Sequence, residues 1–178
     1  MGLDMYLKVK HKPQNELEAI ATAIEDKKTT LTGACGGLFS IAPDDNGCEE
    51  IGYWRKAYDQ RDTILDNIAS YGDREDGEDN CVDFYISPEE VDKILAEAKA
   101  MVSKIEKDYA MLPPEEKFFI DEDGKKYEND IEDYSEFCSS TGTFCSYTKW
   151  KDTVEFFTKA RKIYLNEPEA EIYFEQWY

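Results

Sequence analysis

Glu49-Glu50-Ile51-Gly52-Tyr53-Trp54-Arg55-Lys56 is the stretch on which the reading of this chain turns. From there, Ile51, Trp54, Tyr58, Arg61, Leu65 and Ile68 recur at alternating spacings of three and four. That is the period of one face of an α-helix, so the spacing predicts an amphipathic helix over about 50–71. Glu49 and Glu50 precede it, where the positive end of the helix dipole favours acids, and Gly72 supplies a stop. Every member of the stripe except Arg61 is apolar or aromatic, so the stripe should face a core. A Tyr-Trp-Arg-Lys opening also offers stacking rings and cationic forks together, a combination suited to planar or anionic ligands. As a purely structural helix, the same segment would pair Arg55 with Asp59 one turn on.

Outward from this segment the pattern is mixed. Leu3, Met5, Leu7 and Val9 alternate with Asp4, Tyr6, Lys8 and Lys10, the signature of a half-buried strand. Asn15 with Glu18 resembles a capping box that opens a helix through Ile24. Gly33 to Gly37 are then expected to form a turn, and no Gly-Lys-Ser/Thr follows to make it a phosphate loop. Beyond the acidic turn Gly72 to Asn80, residues 81–86 alternate as a second strand. Ser87-Pro88-Glu89-Glu90 gives the clearest local signal: a capping residue, proline at the first helical position and a glutamate to close the box. A long helix follows to Pro113-Pro114. A hairpin is expected from 118–120 and 126–131 around Asp123-Gly124, and residues 137–147 are expected to be partly extended. Trp150, Val154, Phe157, Arg161 and Tyr164 mark a last helix, and residues 170–178 a last strand. No repeat or linker divides the chain. The expectation is one α+β domain, a small sheet packed against three or four helices. Strand 3–10 should lie beside strand 81–86, with helices 50–71 and 88–111 on one face.

Composition narrows the function classes. Hydrophobic residues make up 41%, with 12 Tyr, 9 Phe and 3 Trp, so the chain has the material for a core. Forty acidic against 21 basic residues give a net charge of −19. Binding nucleic acid requires phosphates to be neutralised by Lys and Arg, so direct nucleic-acid binding is not expected. Such a charge steers a protein toward basic protein surfaces instead. No apolar run approaches a membrane span, and the first residues lack the basic-then-apolar order of a signal peptide. Cys35, Cys48, Cys81, Cys138 and Cys145 are odd in number and scattered, which suits free thiols in a cytoplasmic protein. No metal or cofactor is expected, because the chain has no Cys-x-x-Cys and His11 is its sole histidine. Asp121, Asp123 and Gly124 fit a hairpin turn better than the start of a calcium loop. A cysteine or Ser139 with His11 lacks any catalytic sequence context, so catalysis ranks behind binding.

Several landmarks resemble a family of small phage and prophage proteins that begin Met-Gly-Leu-Asp-Met-Tyr-Leu, here Met1 to Leu7. The segment Ile51-Gly52-Tyr53-Trp54-Arg55-Lys56-Ala57 is similar to that family's next landmark. So are the acidic turn into Cys81, the strand and capped helix from Tyr85 to Ile94, Lys151-Asp152-Thr153, and Ile172-Tyr173-Phe174 with Trp177. The chain departs after Leu112-Pro113, where members carry an aromatic-glycine run and only Phe137 and Gly142 to Tyr147 resemble it. The resemblance implies a viral protein acting in the host cytoplasm, and implies no activity.

Two binding modes follow. In the first, an acidic face imitates the phosphate array of DNA and occupies a basic surface of a host protein, countering host defence or redirecting host machinery. Its candidate residues are Asp121, Glu122, Asp123, Glu128, Asp130, Glu132 and Asp133. In the second, a pocket takes a small anionic ligand such as a nucleotide, walled by Tyr53, Trp54, Arg55, Lys56 and Arg61 with Tyr147, Lys149 and Trp150 opposite. Oligomeric state is left open by the sequence.

Overall fold

In the computed structural model, residues 3–12, 48–71, 82–120, 122–137 and 146–177 are described. The alternating N-terminal segment forms β1 (Asp4–Lys10), and Cys48–Arg55 forms β2. α1 is Tyr58–Asn67, β3 is Asp83–Ile86 and α2 is Pro88–Met111. A short hairpin, β4 (Phe118–Ile120) and β5 (Lys126–Glu128), precedes α3 (Ile131–Phe137). α4 (Tyr147–Asn166) and β6 (Glu171–Trp177) complete the series. The main sheet is antiparallel in the order β2-β1-β6-β3.

This is an α+β fold of the expected kind, with two corrections and a hairpin shorter than expected. The helix predicted over 50–71 is instead a strand, Cys48–Arg55, followed by a ten-residue helix, Tyr58–Asn67. The chain leaves β2 at Lys56, whose φ of 54° turns the backbone and whose N–H donates to the Leu3 carbonyl. The second correction concerns neighbours: β1 pairs with β2 and β6, so β6 separates it from β3. Elsewhere the sequence signals hold. Ser87 caps α2 and Glu90 returns a bond to the Ser87 N–H, closing the capping box. Residues 126–128 form the second hairpin strand, but Ile131 already belongs to α3. The helix opened at Asn15, the glycine turn at 33–37, the acidic turn at 72–80, most of 137–147 and Tyr178 lie outside the described residues.

Alternation along each strand sends one set of side chains inward. Met5, Leu7 and Val9 of β1, Trp54 of β2, Phe84 and Ile86 of β3, and Ile172 and Phe174 of β6 are buried. They pack against Ile64 and Leu65 of α1, Val91, Ile94 and Leu95 of α2, and Phe157, Ala160 and Tyr164 of α4. At about 1.5 Å per residue, a 24-residue helix outruns such a sheet. The far half of α2 therefore has its own cluster, in which Ala98, Ile105 and Trp150 are buried with Ile131 and Tyr134 of α3 around them. The Tyr164 hydroxyl donates to the Ile86 carbonyl and accepts from the Ile172 N–H. Burial, reinforced by Tyr85, pushes that phenol well above its ordinary value.

His11 ties the end of β1 to two neighbouring segments. Its Nδ1 lies 2.7 Å from Glu167 at the end of α4, and its Nε2 lies 3.3 Å from Glu49 of β2. The hydrogen bond to Glu167, aided by the charges of both glutamates, raises the His11 pKa above its ordinary value against the effect of burial. A group whose folded-state pKa is raised stabilises the fold fully below its unfolded value, near 6.5, and loses that contribution as pH rises through the folded value. The stability difference between the protein and His11→Gln should therefore be largest near pH 5.5 and shrink as pH rises above neutrality. Urea titrations across that range check this, and a difference independent of pH would overturn it.

Candidate functional site

The residues expected to wall a pocket are dispersed by the strand geometry of β2. Successive side chains on a strand point to opposite faces. Trp54 points inward, is 2% exposed, donates from Nε1 to Thr153 Oγ1 at 3.0 Å, and stands edge-on to Phe156. Tyr53 points outward and donates to Asp4 at 2.8 Å. Arg55 is also outward, its side chain 68% exposed and its Nε 3.8 Å from Asp4, so the expected Arg55–Asp59 pair is not the one formed. Arg61 bonds Gln176 and Asp62 on the α1 side. Tyr147 donates to Glu106, while Trp150 is buried in the second cluster with α2. Among these eight, Lys149 does reach Lys56, donating to its carbonyl at 2.9 Å. None of the eight lines the groove of about 340 Å³ beside Lys99, Ser103 and Lys151, or that of about 540 Å³ beside Glu90 and Lys93. Among the described residues, the side chains of the Tyr-Trp-Arg-Lys segment thus divide between the two faces of β2.

The acidic run 121–133 also divides. Asp130 accepts from the N–H groups of Glu132 and Asp133 and caps α3, while Asp133 accepts from the Asp130 N–H. Glu132 accepts from the Ser146 hydroxyl and from the Thr148 N–H and hydroxyl, capping α4. These three carboxylates hold helix ends together. Glu122, Asp123 and Glu128 are exposed on the hairpin, whose turn contains Gly124 at φ 76°. Lys125 and Lys126 sit among them, laid over the rings of Tyr127 and Phe118. Asp121 lies outside the described residues. Among the described residues, no group of His, Cys, Asp and Glu is placed to hold a metal ion. Cys48 forms no disulfide, and the other four cysteines lie outside the described residues. No described helix is long and apolar enough to cross a membrane.

A surface that the sequence did not single out is the outer face of the main sheet. Cross-strand pairing sets Tyr53 beside Tyr6 and Glu175, with Asp83 beyond, and sets Lys8 beside Tyr173 and Tyr85. Asp4 lies between Arg55 and Trp177 at one end. The rings touch in pairs, Tyr6 with Tyr53 at 5.2 Å and Tyr85 with Tyr173 at 6.1 Å. Tyr53, Tyr85 and Trp177 are 42%, 45% and 41% exposed. The described helices bury their apolar stripes against the inner face or the second cluster, so none of them packs here. In the middle, Lys8 makes a close ion pair with Glu175, and its ammonium also lies 5.8 Å from the Tyr6 ring centre. Burial opposes the charge on Lys8, but Glu175 more than offsets it and holds the ammonium above its ordinary pKa. The phenols report the field of the face. Tyr173 is pushed up to about 12 by burial and by its bond to Glu171. Tyr53 is raised by its bond to Asp4, and Tyr6 by burial and then by Asp4, Glu50 and Glu175. The alternation of β1 and β6 contained this face, since Tyr6, Tyr173 and Trp177 are the outward members of their strands.

Comparison of the chain with protein-family models, curated proteins and solved structures finds no match.

Proposed function

We propose that this chain is a non-enzymatic binding protein that engages a basic surface of a partner protein. In the phage setting that the sequence resemblance implies, the partner is a host protein, such as a nucleic-acid-binding component of defence or of general machinery. The observation that supports this is the charge balance of −19. If every Lys and Arg paired once inside the fold, nineteen carboxylates would still lack a basic counterpart. A field of that sign accelerates encounter with a basic surface and repels nucleic acid and like-charged proteins. It is screened over roughly 8–10 Å at physiological salt.

The test is retention of proteins from a bacterial lysate on the immobilised chain at low and at physiological salt. A basic protein should be held at low salt and lose at least tenfold in affinity by about 150 mM. Reversing Glu122, Asp123 and Glu128 to Lys should weaken it further, since these side chains are exposed. Arg55→Ala should not weaken it. A complex indifferent to both salt and the reversals, or no retained protein at any salt, would sink the proposal.

A further inference from the structure

We infer that the outer face of the sheet is the seat for an arginine- or lysine-rich segment of the partner. The inference rests on the proposed engagement of a basic protein and supplies its docking surface. An antiparallel sheet ordinarily covers its solvent face with polar side chains. Here tyrosines and a tryptophan stand among the charged side chains, three of them more than 40% exposed. Exposed Tyr and Trp are the residues that interface centres favour, because they offer large contact area at low entropic cost. Between the rings stand carboxylates, Asp4 and Asp83 among them. A carboxylate next to an aromatic face receives a cation twice, through charge and through the ring quadrupole.

The fold already performs this recognition on itself. Lys8 is held by Glu175 while its ammonium lies over the Tyr6 ring. The same arrangement recurs without an ammonium over the ring at the neighbouring site, where Tyr53 and Asp4 bond each other at 2.8 Å and Trp177 stands across from Asp4. A guanidinium entering there meets a flat ring on each side and a carboxylate between, with Arg55 as a competing cation 3.8 Å from Asp4. Other occupants fit less well. A second copy would bring another −19 to a face that is itself net acidic, and a nucleic acid would bring phosphates toward the same carboxylates.

The probe is a fluorescent nonaarginine peptide, titrated against the whole protein at low salt. General attraction to an acidic chain must be separated from seating on this face, so the deciding variants leave the net charge unchanged. Tyr53→Ala combined with Trp177→Ala should weaken the peptide about tenfold, the sum of two modest ring–cation contacts. Tyr53→Phe with Trp177→Phe keeps the rings and should restore most of the affinity. Both positions are more than 40% exposed, and circular dichroism verifies that the fold is retained. Reversal of the hairpin acids should lower affinity less than loss of the two rings. If binding is salt-dependent but blind to loss of the rings, the sheet-face assignment falls and the basic-partner reading stands. If the peptide does not bind at all, both fall. Self-association detected by sedimentation, or a single-stranded oligonucleotide binding the face as tightly as the peptide, also overturns the assignment.

Discussion

Trp54→Ala should lower the stability of the fold by about 4 kcal/mol, whereas Arg55→Ala, one residue on, should change it by less than about 0.5 kcal/mol. The contrast comes from the faces of β2. Trp54 is buried beneath Phe156 and Phe157, with ring centres 4.9 and 6.4 Å away. Its removal opens a cavity that these neighbours fill only in part, and the Thr153 hydroxyl loses its indole donor while keeping its bond to the Lys149 carbonyl. Trp54→Phe should fall between, retaining ring packing but not the hydrogen bond, at about 1–2 kcal/mol. Arg55 leaves only a solvated side chain and a loose pair with Asp4. Urea denaturation with an unchanged m-value is the measurement. Equal losses at the two positions would contradict the alternation on which the placement of both residues rests.

Gly52→Ala should cost about 2–3 kcal/mol even though alanine is among the mildest substitutions elsewhere. A β-carbon at Gly52 would lie 2.6 Å from Cγ and Cδ2 of Phe156 and 3.0 Å from its Cβ. Those atoms are the stem of a ring already packed on Trp54, so no flexible tip is available to swing aside. Gly52→Val should cost more than Gly52→Ala. Shortening the obstacle is the control: in the double variant Gly52→Ala with Phe156→Ala, the total loss should be smaller than the sum of the single losses by at least about 1 kcal/mol. Strict additivity would show that Phe156 is not what excludes the side chain.

These two residues also explain why the opening motif reads as a helix when it is a strand. A regular strand would bury every second residue from Cys48 onward. The register of β2 against β1 shifts between Leu7 and Lys8, a bulge that places one extra residue near Ile51. Ile51 and Gly52 are both buried, and Trp54 follows three positions after Ile51, so the inward residues fall at a spacing that imitates a helical turn. The downstream members Leu65 and Ile68 are buried from α1 onward and continue the same period by coincidence, while Tyr58, on the same predicted stripe, is exposed. A glycine inside an Ile-Gly-Tyr-Trp run was the available signal for a bulge or a close backbone approach. By contrast, β1, α2 and α4 were legible because one periodicity operates along each of them without interruption. Strand order was not legible, since nothing local in β3 or β6 states which of them lies beside β1. The caps made by Asp130 and Glu132 were hidden for a different reason: among so many acids, sequence cannot separate a carboxylate that holds a helix end from one that meets solvent.

The place of β6 has a bearing on how the molecule comes into being on the ribosome. It is the inner neighbour of β1, yet roughly 160 residues of chain separate Lys10 from Glu171. Pairings between such distant segments slow the search for the native state. At about 5–20 residues per second, synthesis of the intervening chain takes on the order of 10–30 s. Until then β1 has β2 as its one partner in the sheet, and a lone pair of strands is marginal in water. The open edge and the inward row of Met5, Leu7 and Val9 are meanwhile available for unintended association. The nascent protein is thus most exposed to aggregation and to chaperone capture just before its closing strand arrives.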